Sequence, residues 1–187
     1  MNKTVKIILS IAIVGLVVML GYFFAARETN IFSPTPKVPA SISFQETGEG
    51  CGDIFVYKIN KDDTAGISVG ANKDALNLST TAKTFEIEEA NISDLSIKLR
   101  MGKNIGFMYC NDAIDPNQPE YKTLLGKTGE VTISISDIDQ SQQEGNRNYT
   151  ATVILKDIHF VEENGNNSDI IIDKLIFRDI RVGWWPG

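Results

Sequence analysis

Apolar residues at every second position constrain this chain more than any other feature. Leu95, Ile97 and Leu99 alternate with Ser96, Lys98 and Arg100; Val131, Ile133 and Ile135 alternate with Thr132, Ser134 and Ser136; Ala151, Val153 and Leu155 alternate with Thr152, Ile154 and Lys156. A period of two sends alternate side chains to opposite faces of an extended strand, one toward a core and one toward water. Further strands are expected at 42–47, 54–60, 66–70, 84–89, 105–110 and 170–182, the last broken near Asp173-Lys174. Turn residues separate them: Asp62-Asp63, Gly102-Lys103-Asn104, Lys127-Thr128-Gly129, Glu144-Gly145-Asn146 and Asn164-Gly165-Asn166-Asn167. No long stretch has the 3.6-residue period of an amphipathic helix. Many short strands predict an all-β domain over 41–187, an antiparallel β-sandwich first and a closed β-barrel second. Hydrophobic residues make up 42% of the chain, enough to fill such a core.

The chain has two cysteines, so Cys51 has one available partner, Cys110. A bond between them ties the head of the 54–60 strand to a strand near the middle of the domain. Such a bond persists only in an oxidising compartment, and the N-terminus bears on that. From Ile7 to Ala26 no residue is charged. At 1.5 Å per helical residue the run spans a hydrocarbon core of about 30 Å. Lys3 and Lys6 precede it, so residues 1–6 are expected in the cytoplasm and everything after the run outside. Cleavage after Ala25 or Ala26 would put Phe23 or Phe24 where signal peptidase requires a small residue. The 7–26 run therefore reads as an uncleaved signal-anchor in the cytoplasmic (plasma) membrane. Pro34, Pro36 and Pro39 make 27–40 an extended linker.

Charge narrows the partners. The net charge is −6; Lys3, Lys6 and Arg27 against Glu28 give the first 28 residues +2, which leaves −8 on the rest. An acidic exported domain repels nucleic-acid phosphates, so no nucleic-acid partner is expected.

Residues that could carry chemistry are few. His159, the one histidine, shares a strand face with Asp157, but no nucleophile stands in a recognisable setting, and an ordinary strand position opposite Ile158 and Phe160 explains it as well. Carboxylate pairs drawn from Glu86, Glu88, Asp137 and Asp139 have no motif to select them. Met101 and Met108 are a thin set for copper. Asp112, Asp115, Asn117 and Glu120 in one loop are the better hard-cation set, for calcium, and 162–169 is a second oxygen-rich loop. No cofactor is expected. Trp184 and Trp185 are adjacent, so on a strand they face opposite ways: one can enter the core while the other offers an indole to a sugar or a partner, although the plainer reading has both close the open end of the sandwich under the last turn. Together these residues predict a membrane-anchored, non-catalytic binding or interaction module with an unknown protein partner. A small-ligand binder, for carbohydrate or calcium, is the alternative, and a hydrolytic enzyme comes third.

Overall fold

The computed structural model describes residues 42–87, 94–111, 113, 120–138, 141–143 and 146–185. The 1–6, 7–26 and 27–40 segments lie outside the described residues. No helix among the described residues is long and apolar enough to cross a membrane. The strands are β1 (Glu49–Cys51), β2 (Ile54–Ile59), β3 (Ala65–Ala71), β4 (Lys83–Ile87), β5 (Leu95–Met101), β6 (Lys122–Ile135), β7 (Asn146–Glu162) and β8 (Asn167–Trp184), with one turn of 3-10 helix, Ile105–Met108, between β5 and β6. All pairings are antiparallel.

The strands form one curled sheet in the order β1-β2-β3-β5-β6-β7-β8, with β4 set beside β6. One edge of β6 serves two neighbours: residues 122–125 pair with β5 and 129–133 with β4. The other edge pairs with β7 along both stretches. The curl brings the two ends of the sheet together. Gly52 N–H donates to Trp184 O at 2.7 Å, and Gly183 N–H donates to Gly52 O at 2.7 Å.

The inward faces make a continuous core in which Val56, Ile67, Val69, Leu99, Val131, Ile133, Leu155, Ile158 and Phe177 are fully buried. The expected alternation holds in these strands: Ile158 and Phe160 point in, and His159 between them is exposed. Lys58 departs from it. It lies on the same face of β2 as Ile54 and Val56, is 6% exposed, donates from Nζ to Glu46 O at 2.5 Å and sits 5.9 Å from the Phe177 ring centroid. Burial lowers its pKa, because an ammonium inside a core loses its water.

β6 and β7 run far past the expected strands because bulges bend them without ending them, and β8 matches the expected 170–182 strand with a few residues added at each end. Lys127-Thr128-Gly129, expected as a turn, is instead an irregular stretch within β6, opposite the bulge at Asp157. Gly129 has φ +129°, and a Cβ there would lie 2.6 Å from Asp157 O, so glycine is required by contact as well as by conformation. Lys174 pairs with Lys156 without interruption. The expected break at Asp173-Lys174 lies instead beyond Phe177, where Asp179 takes φ +51° and exchanges hydrogen bonds of 3.1 Å with Thr152.

Two other expectations are corrected. Residues 42–47 form no strand; Phe44 makes an isolated bridge to Asn60 and packs with Ile42 against the core. Residues 105–110, expected as a strand, hold the 3-10 turn, which lies over the outer face of β2. That face is apolar too, with Phe55, Tyr57 and Ile59, and it is covered by Ile105 and Tyr109 in a second small core. Tyr57 and Tyr109 stack with centroids 4.6 Å apart. Gly66 of β3 leaves the room: a Cβ there would sit 2.7 Å from both Ile105 and Tyr109. Cys110 follows this turn and bonds Cys51, with Cα atoms 5.9 Å apart. The tie therefore runs from β1 to the covering segment and not to a mid-domain strand.

The tyrosines give this core a pH limit. Burial pushes the Tyr109 phenol up to about 12. Tyr57 is also raised, by burial and then by its hydrogen bond to Glu49, and Tyr149 by burial and then by Asp53. A folded-state pKa above the unfolded value means that the folded chain keeps protons the unfolded chain releases. Stability from these groups is whole below about pH 10 and falls as pH rises through 12. The urea midpoint is therefore expected to drop steeply between about pH 10 and 12, and Tyr109→Phe should flatten part of that drop. An unchanged slope in the phenylalanine variant would remove Tyr109 from the account.

Candidate functional site

The sheet closes beside two recesses, and the adjacent tryptophans divide between them. Trp184, half-buried, lines a groove of about 530 Å³ with Glu46, Glu49, Tyr57, Arg178 and Arg181. Tyr57 donates to Glu49 there at 2.5 Å, and Arg181 to Asn148 at 2.8 Å. Trp185 is 67% exposed and lines a recess of about 270 Å³ with Asp53, Lys73, Asp74, Ile138, Arg147 and Tyr149.

Glycines build the second recess. Gly52, at φ +61°, turns the chain out of β1 and places Asp53. Gly183, at φ +82°, lets β8 pass so close to β7 that a Cβ would lie 1.9 Å from Arg147 O. Asp53 is fixed on both sides. Tyr149 Oη donates to its main-chain oxygen at 2.6 Å and also approaches Oδ1 at 2.8 Å, and the Lys73 N–H donates to Oδ2 at 2.7 Å. Lys73 Nζ pairs with Asp74, whose side chain is largely in solvent. Arg147 Nε donates to Gln142 O at 3.0 Å. The recess thus joins a flat apolar wall, two carboxylates, two cations and a rigid floor. Such a surface can stack a ring and hydrogen-bond its substituents.

Other candidate residues lie elsewhere. His159 sits on the outer side of the sheet, opposite Thr128 and Ile171, and lines neither recess. Asp112, Asp115 and Asn117 fall outside the described residues, and Glu120 is exposed. Among the described residues no group of three or more His, Cys, Asp or Glu could hold a metal ion. The second oxygen-rich loop is the β7–β8 turn, where Asn164 Oδ1 accepts from Asn166 N–H at 2.9 Å and Glu162 accepts from Lys122 and Asn164. Met101 is half-buried against the core.

Sequence reasoning named Trp184 and Trp185 without choosing between them and missed Asp53, Lys73, Asp74, Arg147 and Tyr149. The one local signal was glycine beside them, Gly52 before Asp53 and Gly183 before the tryptophans. No protein-family model, no curated protein and no solved structure matches this chain.

Proposed function

We propose that the protein is a single-pass, N-terminally anchored module that displays its β-domain outside the cytoplasmic membrane and binds a ligand there without transforming it. The observation that carries this reading is Trp185, the most exposed of the large apolar side chains among the described residues, standing over a polar recess. An indole left in water at a rigid concavity is poised to bury its face against something else. The Cys51–Cys110 bond supports export, since such bonds last outside the cytosol. The uncharged 7–26 run behind Lys3 and Lys6 supports the anchor. A protein partner is the second reading, favoured by β4, which pairs with β6 alone among the described residues and so offers an edge for strand addition. On architecture, the unbroken pairing path and the Gly52–Trp184 bridge support a closed barrel over a two-layer sandwich.

The test is a thermal melt of the full chain, in a detergent without a sugar headgroup, against calcium, a chelator, copper, zinc and common oligosaccharides. A ligand at a hundred times its dissociation constant adds about 2.7 kcal/mol, a shift of several degrees. A shift that Trp185→Ala abolishes is the expected result. A shift that Trp185→Ala keeps would move the site elsewhere. No shift with any compound would favour the partner at β4, checked by crosslinking from Thr84 in intact membranes.

A further inference from the structure

We infer that the Trp185 recess takes one uncharged sugar ring of a glycan; this rests on the binding-module reading above and adds the class of ligand. Charge is the first argument. Lys73 and Arg147 balance Asp53 and Asp74, and Lys73 is already paired with Asp74. Two carboxylates and two cations sum to zero, so the recess as a whole offers an anionic or a cationic ligand no net attraction. A hydroxyl both donates and accepts. Neighbouring hydroxyls on a ring can donate to the Asp53 carboxylate, whose Oδ2 already accepts from the Lys73 N–H, and accept from the Arg147 guanidinium, one of whose five N–H donors is on Gln142.

The second argument is the wall. The face of an indole carries negative potential, and the C–H bonds on one side of a pyranose present a flat, slightly positive surface of matching size. Volume is the third: about 270 Å³ lies just below the range that encloses drug-sized ligands, roughly 300–1,000 Å³. One ring fits and a buried chain does not, so further sugar units would extend into solvent past Trp185. The floor needs no rearrangement, since Asp53 is held from two sides and Gly183 fixes β8 against β7.

The test is calorimetric titration of the full chain, in the same detergent, with cellobiose, maltose, mannobiose and chitobiose as neutral probes, digalacturonate as the anionic probe and the chitosan disaccharide as the cationic one. At least one neutral probe should bind ten times or more tighter than either charged probe. Trp185→Ala should weaken it at least tenfold. Asp74→Asn, at a solvent-exposed carboxylate that leaves the fold alone, should raise digalacturonate affinity relative to the neutral probes. If a charged probe binds best and Trp185→Ala still abolishes it, the uncharged-sugar inference fails while the site stands. If Trp185→Ala changes no binding that is seen, both fail. Absence of binding by every probe overturns the sugar inference alone and leaves the site to the thermal experiment above.

Discussion

Gly183→Ala lowers the melting midpoint of the β-domain by about 10 °C or more. Two costs combine. Holding a non-glycine residue at φ +82° costs about 1–3 kcal/mol, and the new methyl would lie 1.9 Å from Arg147 O, so β7 and β8 must separate where they close the recess. The sum exceeds about 4 kcal/mol, the range in which a named steric cause is required. Gly165→Ala is the matched control. Gly165 sits at φ +86° in the β7–β8 turn with nothing within 4 Å of its added Cβ, so it bears the conformational cost alone. Its midpoint should fall by a clearly smaller amount, about 2–4 °C for each kcal/mol of that conformational cost. Equal losses in the two variants would mean that the contact with Arg147 relaxes freely, and that the recess floor is less rigid than its geometry implies.

Replacing both cysteines, Cys51→Ser with Cys110→Ser, has the second large effect. The bond closes a separation of 59 residues, worth about 4 kcal/mol of unfolded-state entropy in the chain-closure model. The urea midpoint should fall accordingly, and a reductant should produce the same fall in the parent chain but none in the double variant. The folded sheet should survive, since Ile105 and Tyr109 still cover β2 through their own burial. A loss below about 1 kcal/mol would show that the unfolded chain is already compact around this region.

How much of this was legible beforehand follows from where the period of two stays intact. β5, the C-terminal end of β6 and the middle of β7 were visible because β6 and β7 stay in register from Glu130 to Ile135. At Asp157 a bulge sets two outward residues in succession, so the pattern is interrupted and β7 reads as shorter than it is, while in β8 the adjacent charges Asp173 and Lys174 imitate a break that the ladder does not make. The 105–110 segment misled for another reason: it is apolar because it covers a sheet from outside, and periodicity does not distinguish that from a strand within it. At the site, the division of Trp184 and Trp185 between two faces was legible because adjacent strand residues face apart, but which of them stands exposed was not. Its companions come from separate segments, with Tyr149 and Asp53 lying 96 positions apart, and no local pattern announces such a meeting. Lys58 was hidden by the opposite rule, since a charge in a strand is expected to face water.

The short first strand also has a mechanical meaning. Under a pull on the chain ahead of the domain, the applied force would be resisted first by the Phe44 bridge to Asn60 and then by the three residues of β1. Peeling stops at Cys51, because there a covalent bond hands the load to Cys110 and the segment clasped over β2. A load on the chain ahead of the domain would thereby be shared with the segment that covers the outside of the sheet, one residue before the turn that places Asp53.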